Sequence, residues 1–264
     1  MRVREALGAL EPREARLLLA AATGFSEASV LAHPERELPA EAAALFSDYA
    51  ARRARGEPIA YVLGVKEFYG LPLAVNSAVL IPRPETELLV ELALRAKPAS
   101  VLELGTGSGA IALALKRHRP SARVVAVERS AAALAVAQRN AVKLGLAVEY
   151  RHGSWFDPVA GERFDVVVSN PPYVCEGDPH LREGDVRFEP RSALVGGADG
   201  LDSIRQIVVG APAHLNRGGR LLLEHGLGQD AAVRNLLREA GLEGVRTWPD
   251  LAGIARVSGG ALKS

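Results

Sequence analysis

The chain has 264 residues, of which 48% are hydrophobic, and its 32 basic and 31 acidic residues leave a formal net charge of +1. This length exceeds the usual size of one domain, and the balanced charge gives no overall attraction to a polyphosphate, so we expect no stable binding of nucleic acid. The single cysteine, Cys175, excludes an internal disulfide, and no apolar run approaches the roughly 20 residues of a membrane span, so we expect a cytoplasmic protein without membrane contact.

Residues 1–64 are predicted to form a small helical bundle. They are rich in Ala, Leu, Glu and Arg, and apolar positions such as Leu17, Leu18 and Ala21 have helical spacing between proline and glycine breakers. Residues 65–84 are predicted to form a β-hairpin linker, with extended runs at 68–75 and 79–81 on either side of Asn76 and Ser77.

Residues 85–264 alternate between strand and helix patterns. This alternation predicts an α/β fold, a doubly wound, mostly parallel, seven-stranded sheet of the Rossmann-like kind. The predicted strands are 100–104, 123–128, 147–151, 164–169, 219–225, 243–248 and 253–258, and the main predicted helices between them are 108–118, 130–144, 201–216 and 228–240.

A glycine loop follows the first predicted strand of this sheet, with the sequence Gly105-Thr106-Gly107-Ser108-Gly109. In open α/β sheets the ligand lies at the carboxyl ends of the strands, where glycines let the backbone approach it closely. Glu128 closes the second strand, where its carboxylate can accept hydrogen bonds from both hydroxyls of a ribose. A nicotinamide-binding fold makes the same demands, so the loop alone leaves dinucleotides and S-adenosyl-L-methionine as alternatives. Trp155, in the loop before the fourth strand, either flanks a base or packs in the core.

A second motif, Asn170-Pro171-Pro172-Tyr173, follows the fourth predicted strand. An enzyme that methylates a planar nitrogen must hold its N–H bonds, and the carbonyls of Asn170 and Pro171 are suitable acceptors because the two prolines keep the backbone extended. Tyr173 offers a flat face to the substrate. Taken alone, the motif could be an ordinary Pro-Pro turn. Together with the glycine loop it favours methyl transfer from S-adenosylmethionine to a planar nitrogen, with Asn170, Pro171 and Tyr173 as catalytic residues and Pro172 as a further substrate contact.

Over nearly its whole length the chain resembles the release-factor glutamine N5-methyltransferases, the HemK/PrmC family. The resemblance rests on the two motifs above and on four flanking segments, which are Gly56–Gly64, Leu80–Glu87, Asp185–Pro190 and Ala193–Leu201. It implies S-adenosyl-L-methionine as the cofactor and, as the substrate, the glutamine of the Gly-Gly-Gln motif in class I peptide chain release factors. Because a methyltransferase core alone offers limited surface for protein recognition, we expect residues 1–64 to recognise the release factor outside its glutamine loop; the alternative role is stabilisation of the core.

The resemblance further implies roles for individual residues. The cofactor-binding positions are Gly105, Thr106, Gly107, Ser108, Gly109, Glu128, Trp155 and Asn170, and the positions that hold the glutamine are Asn170, Pro171, Pro172 and Tyr173. Arg83 and Glu85 belong either to the solvated edge of the linker or to a wall of the substrate cleft, and the sequence does not decide between these.

Three other readings of the chain are weighed against this one. An adenine N6-methyltransferase acting on DNA or RNA would use the same Asn-Pro-Pro-Tyr motif on a flipped base, but we would expect it to carry a basic surface. A non-catalytic cofactor-binding scaffold would not need the substrate motif. A metalloenzyme is disfavoured, since the six histidines show neither i, i+4 pairing nor cysteine neighbours, and we expect no metal.

Overall fold

The computed structural model describes residues 1–264, which divide into two compact units. The first comprises residues 1–65 and 182–188, and the second comprises residues 66–181 and 189–264. The division predicted from sequence, at 1–64, 65–84 and 85–264, stays a prediction. No helix reaches the length and hydropathy that a bilayer span requires.

The first unit is built from five helices, and the small helical bundle expected here is observed. They are α1 (Val3–Leu7), α2 (Pro12–Thr23), α3 (Glu27–Ala32), α4 (Ala40–Ala54) and α5 (Ile59–Leu63). Helix α2 illustrates why they form. It begins at a proline, the side chain of Glu11 accepts the Glu14 N–H at 3.0 Å, and it ends at Gly24 in the left-handed conformation. Its buried Leu18 and Leu19 pack with buried apolar residues of the other four helices.

Residues 182–188 pack within this helical unit although they follow the Asn-Pro-Pro-Tyr motif in sequence. Arg53 of α4 lies between two carboxylates, donating from Nη2 to Glu14 Oε1 at 2.7 Å and from Nη1 to Asp185 Oδ1 at 2.9 Å. The hydrogen bond to Glu14, and then that to Asp185, raise the pKa of Arg53. A Cβ on Gly56, whose φ is +88°, would lie 2.0 Å from Nη2 of Arg187. Glycine at position 56 therefore leaves room for the guanidinium group of Arg187.

The linker contains a two-stranded sheet, but its turn differs from the prediction. Strands β1 (Val65–Phe68) and β2 (Leu71–Ala74) pair around Tyr69 and Gly70. A turn does form after Asn76, whose carbonyl accepts the Val79 N–H at 3.1 Å, but residues 79–81 form no strand, so the hairpin predicted around Asn76 and Ser77 was wrong. Tyr69 and Gly70 both have positive φ, at 50° and 76°. The side chain of Glu67 accepts the Gly70 N–H at 2.5 Å, which stabilises the tighter turn.

The second unit contains the predicted seven-stranded sheet, and this fold class is confirmed. The strands are β3 (Ser100–Leu104), β4 (Arg123–Glu128), β5 (Glu149–His152), β6 (Phe164–Ser169), β7 (Leu215–Glu224), β8 (Glu243–Pro249) and β9 (Ala255–Ala261). Their order across the sheet is β5-β4-β3-β6-β7-β9-β8, and the pairings are parallel except for those that β9 makes. The carboxyl ends of β3, β4, β6 and β7 therefore meet at one edge.

Helices cover both faces of this sheet. They are α6 (Glu87–Arg95), α7 (Ala110–His118), α8 (Ala131–Leu144), α9 (Arg191–Leu194), α10 (Asp202–His214) and α11 (Asp230–Glu239). Successive strand residues enter opposite cores, because side chains alternate along a strand. Val166 and Val168 pack with α6 and α7, whereas Val167 packs with α10 and α11.

Asn140 on α8 ties the linker hairpin to the glycine loop. It is 1% exposed, and its Oδ1 accepts the Ala74 N–H at 2.7 Å. Its Nδ2 donates to the carbonyls of Ala74, at 3.0 Å, and Ser108, at 2.9 Å. One side chain thus satisfies three backbone groups.

We predict that Asn140→Leu lowers the free energy of unfolding by about 2–4 kcal/mol, because the buried backbone groups lose their partners and leucine cannot replace them. Chemical denaturation followed by circular dichroism measures this loss. Val142→Ala on the same helix is the control, since Val142 is 83% exposed and should change stability little. Equal stability of Asn140→Leu and the control would contradict the prediction.

Candidate functional site

A pocket lies where the carboxyl ends of β3, β4 and β6 meet. Its wall includes Glu103 and residues 105–108, Val127 and Glu128, residues 153–155, and Asn170 with Pro172. The remaining lining residues are 78–80, 82–83, 86, 110–111, 129–130, 133, 190 and 192–193. Most residues predicted for the site therefore line one cavity. Gly109, Pro171 and Tyr173 do not line it, and their assigned roles stay predictions.

The glycine loop is held by the end of β4. The N–H groups of Gly105 and Thr106 both donate to the Val127 carbonyl, at 2.9 and 3.1 Å, and the Gly107 N–H donates to Glu128 Oε2 at 2.9 Å. Gly105, Gly107 and Gly109 all have positive φ. A Cβ on Gly109 would lie 3.1 Å from both Leu113 Cδ1 and the Tyr150 hydroxyl, so this glycine allows close helix–sheet packing.

Glu128 is fixed at the strand end by two backbone donors. Its Oε2 accepts the Gly107 N–H, and its Oε1 accepts the Ser130 N–H at 2.8 Å. Each carboxylate oxygen has further lone pairs, and the residue lines the pocket, so Glu128 can also accept hydrogen bonds from a diol. The Gly153 N–H donates to the Glu128 carbonyl at 3.0 Å, which places the loop after β5 beside it.

Glu103 lies deeper in the same strand-end cluster and is 1% exposed. Its Oε2 accepts the Thr106 hydroxyl at 2.5 Å and the Ala112 N–H at 3.0 Å, so it joins the glycine loop to the first turn of α7. Burial raises the pKa of Glu103 to about 8, although these two hydrogen bonds oppose the rise.

The side chain of Trp155 is held by a hydrogen bond and lies against the glycine loop. The φ of Trp155 is +40°, an uncommon backbone conformation for a large residue, and its indole N–H donates to Gln206 Oε1 at 2.8 Å. Its ring lies next to Gly105, where a Cβ would be 3.7 Å from Cζ3. Trp155 therefore forms a fixed aromatic wall of the pocket.

The Asn-Pro-Pro-Tyr motif presents two open acceptors. Asn170 Nδ2 donates to Thr86 Oγ1 at 3.1 Å, while no group of the protein donates to Asn170 Oδ1 or to the Pro171 carbonyl. By contrast, the Tyr173 carbonyl accepts Gln229 Nε2 at 3.0 Å, and the Tyr173 hydroxyl donates to Glu224 Oε1 at 3.3 Å. The motif thus has unfilled acceptors at its start, whereas Tyr173 is bonded within the protein.

Arg83 is part of the pocket wall, and a role for it in binding the substrate stays a prediction. Arg83 donates to Glu189, whose side chain is fully buried, and Glu189 Oε2 also accepts the Ile81 N–H at 3.2 Å. Glu85 is not among the lining residues. Glu189 thus joins residues 81–83 to the segment that supplies Pro190 to the pocket wall.

Sequence reasoning missed Thr86, Glu189 and Glu224. Thr86 and Glu189 contact their partners only through the tertiary fold, so no local pattern marks them. Glu224 did leave a signal, because it ends the apolar run 221–223 at the same sheet edge as Glu103 and Glu128.

Comparison with known proteins identifies the family. Residues 2–64 match the PrmC N-terminal domain, and residues 84–182 match the methyltransferase small domain. Curated release factor glutamine methyltransferases are similar along almost the whole chain. The protein from Pseudomonas aeruginosa is 54% identical over 93% of this chain and 90% of its own, and the one from Burkholderia pseudomallei is 52% identical over 96% and 93%. The chain belongs to the release factor glutamine methyltransferase family.

The resemblance seen in the sequence is therefore confirmed, and the chain is a member of a methyltransferase enzyme family. Among solved structures, a methyltransferase from Pyrococcus furiosus is 21% identical, covers 83% of this chain and all of its own, and has a TM-score of 0.60, which shows the shared fold. A Thermus thermophilus 16S rRNA N2 G1207 methyltransferase, solved with AdoMet and guanosine, is 26% identical, covers 75% of this chain and 50% of its own, and has a TM-score of 0.55.

We predict a pH-dependent stability difference between the protein and its Glu103→Gln variant. Folded Glu103 keeps its proton up to a pKa of about 8, whereas in the unfolded chain it loses the proton near its ordinary pKa of 4.5. Ionisation therefore favours the unfolded state across this window. The wild type should lose stability relative to Glu103→Gln, by on the order of a few kcal/mol, as the pH rises from about 5 to about 8.

Chemical denaturation at several pH values measures this difference. Glu239→Gln is the control, because Glu239 is exposed on α11 and its substitution should give a difference that does not change with pH. A constant difference between wild type and Glu103→Gln would contradict the prediction.

Proposed function

We propose that this protein methylates the side-chain amide nitrogen (N5) of the glutamine in the Gly-Gly-Gln motif of class I peptide chain release factors. The methyl donor is S-adenosyl-L-methionine, and the reaction takes place in the cytoplasm, where translation terminates. The observation that carries the proposal is the identity of about half of all positions to release factor glutamine methyltransferases along nearly the full chain.

The pocket fits S-adenosylmethionine by the chemistry of its walls. Glu128 would accept hydrogen bonds from the ribose hydroxyls, and Trp155 with the backbone of Gly105 would border the planar base. When bound, the cofactor supplies a methyl group that is already electrophilic. The chain therefore has to orient the acceptor nitrogen and exclude water, and it needs no covalent intermediate of its own.

Asn170 and Pro171 are the residues that would orient the glutamine. A primary amide is a poor nucleophile because its nitrogen lone pair is delocalised. Its two N–H groups need acceptors, and the open acceptors Asn170 Oδ1 and the Pro171 carbonyl supply one each. Hydrogen bonding of both N–H groups increases electron density on the nitrogen and fixes its direction, so we assign no general base.

The helical unit, with residues 1–64, would recognise the release factor outside its Gly-Gly-Gln motif. The match of residues 2–64 to the PrmC N-terminal domain supports this role. Adenine would offer a similar amino group to Asn170 and Pro171, but the full-length relatives are named for glutamine methylation, and no observation favours the adenine alternative.

The proposed function predicts that a purified class I release factor gains the mass of one methyl group when incubated with this protein and S-adenosylmethionine. Mass spectrometry of proteolytic peptides should place the gain on the glutamine of the Gly-Gly-Gln peptide. A release factor with that glutamine changed to alanine is the control. Methyl transfer to adenine-containing nucleic acid, without any gain on the release factor, would overturn the proposal.

We predict that Asn170→Ala lowers turnover at saturating cofactor by a factor of about 30 to 1,000, because the loss of one preorganised acceptor costs about 2–4 kcal/mol of barrier. Asn235→Ala is the control, since Asn235 is exposed on α11 and lines no part of the pocket. Turnover of Asn170→Ala equal to that of the control would remove Asn170 from the reaction.

A further inference from the structure

The side chain of Gln229 bonds three backbone groups that belong to three separate segments. Gln229 directly precedes α11, and its Oε1 accepts the Gly226 N–H at 2.8 Å, in the loop that follows β7. Its Nε2 donates to the carbonyls of Tyr173, at 3.0 Å, and Asp199, at 3.4 Å. The first carbonyl belongs to the Asn-Pro-Pro-Tyr motif, and the second belongs to the flanking segment Ala193–Leu201. One amide group thus joins three loops beyond the carboxyl ends of β6 and β7.

The partners of Gln229 determine how its amide group is oriented. A backbone N–H can only donate, and a backbone carbonyl can only accept. The Gly226 N–H therefore requires the oxygen of the amide, whereas the carbonyls of Tyr173 and Asp199 require its NH₂ group. Glutamine supplies both functions from one planar group. A glutamate of the same shape would place a carboxylate oxygen against two carbonyl oxygens.

The peptide group between Tyr173 and Val174 is held at both ends. Gln229 bonds its carbonyl, and its N–H donates to the Leu194 carbonyl at 2.8 Å. The Val174 carbonyl in turn accepts the Gly196 N–H at 2.9 Å, so the two segments form an isolated parallel bridge. A side chain thus fixes one edge of this peptide group, and backbone pairing fixes the other.

Two glycines leave the space in which Gln229 meets the motif. A Cβ on Gly200, whose φ is +76°, would lie 2.2 Å from the Tyr173 carbonyl oxygen and 2.7 Å from Gln229 Nε2. A Cβ on Gly226 would lie 3.1 Å from Gln229 Oε1 and 3.2 Å from Tyr173 Cδ2. The carbonyl and the ring of Tyr173 therefore both pack closely against Gln229 and its loop.

The loop that carries Gln229 is anchored to the sheet by a buried histidine. His225 follows β7 directly and is 0% exposed, with its Nδ1 3.0 Å from the Gly226 carbonyl and its Nε2 2.9 Å from Ser258 Oγ on β9. Because a carbonyl can only accept, Nδ1 carries the proton and Nε2 accepts the Ser258 hydroxyl. Burial lowers the pKa of His225, which favours this neutral form. Gln229 therefore lies on a fixed support.

The held Tyr173 carbonyl lies close in sequence to an open acceptor of the motif, the Pro171 carbonyl. Peptide groups are planar, and the ring of Pro172 fixes φ at that position. The soft backbone torsions between the two carbonyls are therefore ψ of Pro172 and φ and ψ of Tyr173. Fixing the Tyr173 carbonyl leaves the Pro171 carbonyl little freedom to turn.

We propose that Gln229 is a positioning residue of the Asn-Pro-Pro-Tyr motif, which holds the Tyr173 carbonyl and thereby orients the Pro171 carbonyl toward the N–H of the substrate amide. This inference rests on the proposed function, because it deepens the role given there to Pro171. Gln229 lines no part of the pocket, so it acts through the motif and touches neither substrate nor cofactor. Its loss should lower kcat and leave the binding of the cofactor unchanged.

The test is the isosteric variant Gln229→Glu, assayed with a purified class I release factor at saturating S-adenosylmethionine and at about pH 8, where a glutamate is ionised. This side chain keeps the acceptor for Gly226 but loses the donor to Tyr173. We expect kcat to fall about 10- to 100-fold, the effect of a small misplacement of a group at the reacting centre. The KM for the release factor, and the affinity for S-adenosylhomocysteine measured by calorimetry, should each change less than about threefold.

Gln138→Glu is the matched control, because Gln138 is exposed on α8 and lines no part of the pocket. It makes the same chemical change and should keep the wild-type kcat. Hydrogen exchange followed by mass spectrometry reports on the motif without any substrate. Peptides that contain Val174 should exchange faster in Gln229→Glu than in the control, whereas peptides of the glycine loop should exchange at the wild-type rate.

The outcomes distinguish this inference from the proposed function. A wild-type protein that methylates no release factor overturns the proposed function and the inference with it. An active wild type whose Gln229→Glu variant keeps the wild-type kcat overturns the inference alone. So does a fall in kcat that comes with an equal fall in affinity for S-adenosylhomocysteine and with faster exchange throughout the sheet, because the loss is then structural. If Gln229→Glu does not fold, Gln229→Met decides by the same criteria, since it removes the hydrogen bonds without adding a charge.

Discussion

The hydrogen bonds between the glycine loop and the end of β4 are the interaction on which the site depends. Three successive N–H groups, those of residues 105–107, are bonded to Val127 or to Glu128. The loop conformation is therefore fixed by the neighbouring strand and does not require a ligand. A cofactor that enters this pocket meets a preformed wall, so less of its binding free energy is spent on ordering the chain. Asn140 extends this arrangement by bonding Ser108 to the linker hairpin.

Three glutamates lie at the carboxyl ends of β3, β4 and β7, and their surroundings differ. Glu128 accepts two backbone N–H groups at the pocket wall. Glu103 and Glu224 are buried more deeply, with pKa values raised to about 8 and about 7. Keeping these two groups protonated costs less than burying isolated charges. The sheet edge thus combines one fixed acceptor with two groups whose protonation responds to their partners.

Local patterns in the sequence predicted the sheet, its strand order along the chain and the residues of the glycine loop. They succeeded because strand alternation, glycine spacing and the Asn-Pro-Pro-Tyr motif are all set by neighbours in sequence. The hairpin turn was misplaced because Asn76 and Ser77 are good turn residues, whereas the actual turn depends on the side chain of Glu67. The pairing of Thr86 with Asn170 and of Arg53 with Asp185 joins distant segments, and no periodicity could have indicated either contact.

The flanking motifs identify the family more specifically than the residues of the pocket do. Any enzyme that methylates a planar nitrogen can use a glycine loop and two carbonyl acceptors, whether the nitrogen belongs to glutamine or to adenine. Methyl transfer does not require position 56 to be glycine, yet Arg187 occupies the space that a Cβ there would fill. Arg187 also donates to the Arg55 carbonyl at 3.3 Å, so two segments far apart in sequence contact each other within the helical unit.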